Sequence, residues 1–582
     1  MNIAAPTRWD LTDLLPCDPD TQEFRIHINS LREKLSVLEA AEESALLNEI
    51  ELNKLARLIQ QVESAESFYY CLTTEEEDRS FLSPLLTSIS ELKSRIRLLV
   101  SNQKKIISQM GEEQFADWSS RMTQKSFIRN LTEGTEPKSS SGKIISGFAA
   151  ETLSSMEDIY GQVRNNLRVK AEAEGEKTEL SFAEASHSAL SHPVPSTRNQ
   201  IFSELNRTLE KQAGIFASIY NSMAGLRLNE NKVKNADTLE ASLKINGISK
   251  PVLDAMWNAV DDSLPEVSKY LHTKARESGK ERISWHDLMT STQATPHTIP
   301  FPQAVEGISE ALAPIDSNTG EFIKNVIMRG WVDAEPRETK PPGGFCAPFM
   351  QESESRISIN YDESIDSARR LAHELGHAWH FKQMKNAASL VFSDETFEMT
   401  TAETASVFFE TAYIDYVIEN TGDSSVRKAM LGAKIERTLN YLMAIRGAFL
   451  FESRFYECRE NGPLDASQIE ELSIQAQKEA YGYGLSEYEP FIWIKYVQFY
   501  QANIPFYNYP YSLGFLLSIG LLEHAKKESL FSGKYQRFLS ETGLLPLEQL
   551  VKKHFSINLS HPEFWQQSIQ RINQDIEQYI VL

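Results

Sequence analysis

The chain has 582 residues, 41% of them hydrophobic and 24% charged, so it can bury a large core in two or three lobes and is neither a disordered nor a repeat protein. Its formal net charge of −22 argues against a nucleic-acid or anionic-membrane partner, because the surface as a whole would repel phosphate. Cys17, Cys71, Cys346 and Cys458 lie far apart and form no CxxC pair, which predicts reduced thiols rather than a disulfide framework or a cysteine metal site.

The opening MNIAAPTRWDLTDLLPCD lacks a basic stretch followed by an apolar one, so a cytoplasmic location is expected. From Thr21 to Arg121, Leu31, Leu35, Leu38, Leu92, Ile96 and Leu99 fall at helical spacing and predict antiparallel helices. The polar stretch Thr132 to Gly142 predicts a loop, and with it a division of the chain into lobes 1–131, 132–234 and 235–582. In the middle segment, the alternating pieces Leu167 to Lys170 and Glu179 to Phe182 flank Glu174-Gly175 and predict a small hairpin, with helix resuming after Pro195.

Beyond Asn235 the pattern is again mostly helical. The runs Leu442 to Phe451 and Leu513 to Leu522 are too short or too charged for the roughly 20 apolar residues of a membrane span, and read as buried helices. One interruption begins at Gly330 and passes through Pro341-Pro342-Gly343-Gly344. Within it, Arg356 to Tyr361 alternates polar and apolar residues like a half-exposed strand, whose edge an extended peptide could join.

His373-Glu374-Leu375-Gly376-His377 follows, in a proline-free stretch from Asp366 to Met384. On a helix, residues four apart share a face, so His373 and His377 can hold one zinc ion while Glu374 stands beside the open coordination position as general base. A third ligand is required downstream. His380 and Gln383 occupy the places where a metzincin has glycine and histidine, and Thr396 and Phe397 the places where other HExxH enzymes have glutamate. In the helical stretch Thr400 to Glu410, Glu403 is the expected ligand, and Glu410, two turns later on the same face, the carboxylate behind the ligands. His380, His286 and Cys346 are read as structural.

These residues resemble peptidase family M3, and within it the oligoendopeptidase F group. The matching features are HELGHAWH (His373 to His380), AETASVFFE (Ala402 to Glu410), GGFCAPF (Gly343 to Phe349), PFYNYPYSLGF (Pro505 to Phe515) and the opening WDLTDLLP (Trp9 to Pro16). The resemblance implies a mainly α, bowl-like enzyme with a deep substrate channel and a small sheet beside the zinc helix. It further implies internal cleavage of short unstructured peptides, zinc on His373, His377 and Glu403, and substrate or oxyanion contacts from Tyr507, Tyr509 and Tyr511. Relatives often carry a histidine just before the tyrosine segment where this chain has Gln498, an amide that can donate a hydrogen bond but cannot carry a charge. Two alternatives stay open: a zinc carboxypeptidase or dipeptidase, with Arg369 and Arg370 holding a terminal carboxylate, and a peptide-binding protein with a degenerate site.

Overall fold

Leu31, Leu35, Leu38, Leu92, Ile96 and Leu99 are all buried, and the helices that carry them are the ones their spacing predicts. The structure is a computed structural model; it describes residues 6–12, 14, 21–42, 46–75, 82–132, 140–173, 176–192, 194–288, 298–341, 343–384, 390 and 399–582. In chain order the elements used below are α1 (Thr21–Glu42), α2 (Glu49–Glu75), α3 (Ser83–Ser108), α4 (Ser140–Asn165), β1 (Arg168–Ala173), β2 (Glu176–Ser181), α5 (Phe182–Ser191), α6 (Pro195–Lys234) and α7 (Lys250–Asp262). There follow β3 (Val332–Asp333), β4 (Gly344–Phe349), β5 (Glu354–Ile359), α8 (Ile365–Gln383), α9 (Met399–Asn420), α10 (Ser424–Leu439), α11 (Ile445–Arg459), α12 (Tyr509–Ala525), α13 (Phe531–Ser540) and α14 (Pro562–Val581). Among the described residues the protein is thus mainly helical with two small sheets.

The chain forms two units, each assembled from three separated segments: 1–137, 297–419 and 521–557 in one, 138–296, 420–520 and 558–582 in the other. This division departs from the contiguous lobes 132–234 and 235–582 expected from the sequence. Of the stretch read as a loop, residues 133–139 lie outside the described residues, and Ser140 to Gly142 already belong to α4.

In the first unit, β3, β5 and β4 form a sheet in that order, β3 parallel and β4 antiparallel to β5. Alternation along β4 divides its residues between two environments. Ala347 and Phe349 enter the apolar core made by α1, α2 and α3, while Gly344 and Cys346 lie towards Glu374 on α8. β5, expected as a half-exposed strand with a free edge, is instead the central strand and is buried along almost its whole length. Arg356 is accommodated there by bonding: its Nε donates to the Asp10 carbonyl at 2.7 Å and its guanidinium pairs with Glu354 at 3.1 Å. β3 and β4 are the outer strands.

In the second unit, β1 and β2 form the expected antiparallel hairpin, with Arg168 opposite Ser181. Glu174 and Gly175, its predicted turn, lie outside the described residues. Ser181 caps α5 with a reciprocal Ser181/Glu184 capping box, which fixes where strand gives way to helix. α6 follows from Pro195, and the final helix α14 packs on α7 and α10. Among the described residues no helix is long and apolar enough to cross a membrane, and Cys71, Cys346 and Cys458 are free thiols.

Candidate active site and metal centre

α8 begins at Ser364, whose hydroxyl accepts the Ser367 N–H at 3.0 Å and satisfies one of the unpaired donors of the first turn. Two turns on, the four-residue spacing brings the rings of His373 and His377 onto one face, their centroids 4.9 Å apart and their planes at 85°. α9 supplies the third donor: Glu403 Oε2 lies 3.3 Å from His373 Nε2 and 3.8 Å from His377 Nε2. One ligand atom from each of the three residues falls within 4.8 Å of the others.

The approach of α9 to α8 depends on Gly376. A β-carbon at this position would stand 2.5 Å from the Ala405 carbonyl oxygen and 2.6 Å from Ser406 Cα, so only glycine lets the two backbones meet here. Ser406 then holds Glu403 from its own helix, its hydroxyl within 2.9 Å of both the Glu403 carbonyl and Oε2.

Glu410 lies behind His373. Its Oε2 is 3.1 Å from His373 Nδ1; a carboxylate can only accept, so Nδ1 carries the hydrogen and Nε2 is directed towards Glu403 and His377. The other oxygen of Glu410 pairs with Arg369 at 3.1 Å, and Arg369 also bonds Asp366 at 2.6 Å. Arg370 pairs with Asp366 too. The exopeptidase alternative assigns these two arginines to a terminal carboxylate; here both are engaged by protein carboxylates. Sequence reasoning missed Ser406 and Gly376. The signal for Ser406 was its place three residues after Glu403, and that for Gly376 a glycine in mid-helix, which costs stability unless close packing needs it.

The electrostatics follow from burial and proximity. Burial alone would lower His373, but hydrogen bonds to Glu403 and Glu410 reverse this and hold it well above the ordinary imidazole range. Burial lowers His377 to about 4, so its lone pair is free. Burial would raise Glu403, yet the hydrogen bond from His373 and the two neighbouring imidazoles bring it down to about 2. A proton on His373 Nε2, facing Glu403, stands where a cation would bind, and a bound cation would replace it. Two imidazole nitrogens and one ionised oxygen converging on one point, with the ring orientation fixed from behind, suit a divalent metal ion that keeps a fourth position open. A metal fits these residues.

Glu374 is 5% exposed, and burial pushes its carboxyl up to about 7. Its Oε1 lies against the start of β4: a β-carbon on Gly344 would be 3.2 Å from it. Burial, then the charge of Glu374, raises the Cys346 thiol well above its usual range, which disfavours the reactive thiolate. His380 faces Thr542, Nε2 to Oγ1 2.8 Å, and burial takes it to about 3, outside the ligand cluster. His286 is likewise a buried structural residue, 2.6 Å from the Asn199 amide oxygen.

The expected tyrosines lie in the second unit and differ from one another. Tyr509 is 1% exposed and its hydroxyl accepts from Asn246 at 3.2 Å, with Ser242 at 3.4 Å; it is a core residue here, a correction to its expected place at the substrate. Tyr507 and Tyr511 are partly exposed, their ring centroids 6.0 Å apart. Gln498 lies in a short 3₁₀ turn, Val497–Tyr500, and is also partly exposed.

Against known proteins, residues 188–571 match the family model described as Peptidase family M3. Similar curated proteins include an oligoendopeptidase F homolog of Lactococcus lactis subsp. lactis, 21% identical over 94% of this chain and 93% of the relative. Another, from Borreliella burgdorferi, is 22% identical over 93% of each. Among solved structures, oligoendopeptidase-F from Enterococcus faecium superposes with a TM-score of 0.70 at 18% identity, covering 96% of this chain and 98% of that one. Metallocarboxypeptidase 1 of Trypanosoma cruzi gives 0.51 at 13% identity, covering 90% and 99%, so the fold by itself does not separate internal from terminal cleavage.

Proposed function

Because the chain belongs to peptidase family M3, we propose that it is a zinc endopeptidase that hydrolyses internal bonds of short unstructured peptides. The observation that carries this reading is the convergence of His373, His377 and Glu403, with Glu374 between them and the edge strand β4.

One zinc ion, held by those three residues, would supply Lewis acidity and lower the pKa of water from 15.7 to about 7. The rest of the work falls to the chain. Glu374, buried and adjacent to the ligands, takes the proton of the attacking water and returns it to the leaving nitrogen. Glu410 keeps His373 in the tautomer that presents Nε2, and Arg369 keeps Glu410 in place. The outer edge of β4 would offer main-chain groups to an extended peptide, which aligns its scissile bond without reading its side chains. Tyr507 or Tyr511 donates a phenolic hydrogen bond to the developing oxyanion.

A carboxypeptidase or dipeptidase would need a cation reserved for the terminal carboxylate. Arg369 and Arg370 do not serve, being paired with Asp366 and, for Arg369, with Glu410. The test is an internally quenched short peptide blocked at both ends, incubated with and without chelator and read by mass spectrometry. Internal cleavage abolished by chelator and restored by zinc is expected; turnover only of peptides with a free terminus would replace this reading with an exopeptidase.

A further inference from the structure

The second unit buries two charged residues that the chemistry above does not use. Arg227 on α6 is 5% exposed and Glu452 on α11 is 3% exposed, and the surrounding core holds Tyr220, Phe451, Phe455 and Tyr456. Charges are expensive in such a place unless something specific is gained. Burial pushes the Glu452 carboxyl up to about 7, against the pull of the Phe506 N–H and of Arg227, and Tyr220, Tyr456 and Tyr500 share its surroundings.

Most of their partners are main-chain atoms of one loop. Glu452 Oε1 accepts the Phe506 N–H at 2.9 Å. Arg227 donates to the carbonyls of Gln501 and Ala502 while its other nitrogen donates to the Tyr456 hydroxyl at 3.0 Å. From α4, Glu157 accepts the Ala502 N–H at 2.9 Å. At the far end the Ser512 hydroxyl donates to the Tyr441 carbonyl. Phe506 itself sits at φ +54°, a left-handed conformation that a bulky residue adopts only when its surroundings enforce it. The next residue is Tyr507. Bonds made to the backbone fix where that segment runs whatever its side chains are, and they leave Tyr507 and Tyr511 on the accessible side.

We infer that Glu452 and Arg227 are positioning residues, which by gripping the backbone of residues 501–506 set the place from which Tyr507 and Tyr511 meet the substrate. This rests on the reading that one of those tyrosines touches the reacting peptide. The distinguishing experiment is a mutant cycle on kcat and KM with the zinc-loaded full chain. Glu452→Gln keeps an oxygen that can accept the Phe506 N–H and is expected to stay within about threefold of the parent in kcat, whereas Glu452→Leu loses at least about tenfold with KM little changed. In the background of whichever of Tyr507→Phe and Tyr511→Phe lowers kcat, Glu452→Leu is expected to cost less than about threefold more, since both act through one contact.

Independent losses that multiply would overturn the inference, as would equal losses for Gln and Leu, or a Glu452→Leu variant that lowers Tm and leaves kcat intact. If neither tyrosine substitution alters kcat, the tyrosine reading itself has failed, and it takes the inference with it. Should Glu452→Leu not fold, Arg227→Lys serves in its place. It keeps the charge beside Glu452 but cannot span the Tyr456 hydroxyl and two carbonyls, so the same loss in kcat and the same non-additivity with tyrosine are expected; unchanged kcat overturns the inference.

Discussion

Glu374 is held by burial near the midpoint of its titration while its oxygen lies against Gly344, and both conditions suit a base that must take and return one proton. Glu374→Gln preserves shape and leaves the three ligands untouched. It is expected to retain the metal, measured by elemental analysis, and to lose about 10²–10⁴-fold in kcat. A second consequence concerns His373, which in the metal-free protein is held protonated by Glu403 and Glu410. Metal binding at Nε2 must displace that proton. Affinity is therefore expected to rise with pH, by about tenfold per unit, and to level off once pH passes the raised pKa of His373. Competition with a chelator of known affinity between about pH 6 and pH 8 measures this, and a flat profile would mean that His373 is already neutral. The pair His373 and His377 was readable from sequence because a spacing of four on a helix is a geometric statement. Tyr509 was not, since nothing in the alternation of Tyr507, Tyr509 and Tyr511 reveals which ring turns into the core towards Asn246.

At the scale of elements, the site is a meeting of two helices and a strand, and Gly376 is the point where the helices touch. Gly376→Ala forces a methyl against the Ala405 carbonyl and must separate α8 from α9. The expected cost is about 1–3 kcal/mol, read as a lowered Tm, together with weakened metal retention on dialysis because Glu403 withdraws from the histidines. An alanine variant with full metal content and an unchanged Tm would show that the helices are not held at this distance by glycine. Sequence periodicity placed α8 and the hairpin β1–β2 well, because both report on contacts within one element or between neighbours. It misassigned the edge of the second sheet. Alternation along β5 was read as one wet face, but Arg356 and Ser358 are buried and Arg356 is satisfied by Asp10 and Glu354, partners too distant in sequence or too ordinary to suggest themselves. β4, with a glycine at its start and a proline near its end, gave little strand signal and yet is an outer strand of the sheet.

At the scale of the whole molecule, composition could say that the chain holds more than one lobe but not which segments combine, because the pairing of residues far apart leaves no local trace. The first unit completes its core only when Ala347 and Phe349 join the helices of the N-terminal segment. A fragment of residues 1–137 is therefore expected to expose that apolar surface and bind a hydrophobic dye strongly. It should also unfold without the cooperative transition of the full chain, measured by circular dichroism. A sharp transition in the fragment would make it an independent domain. The interleaving of segments also sets a timetable. During synthesis His373, His377 and Glu403 emerge well before residues 521–557, which supply α13 against α8, and before α14, which closes the second unit. At ordinary elongation speeds the interval is on the order of ten seconds. Throughout it the ribosome carries a chain that already owns the three residues proposed to hold the metal but not the segments that complete either unit, so the order of manufacture itself would delay the first cut.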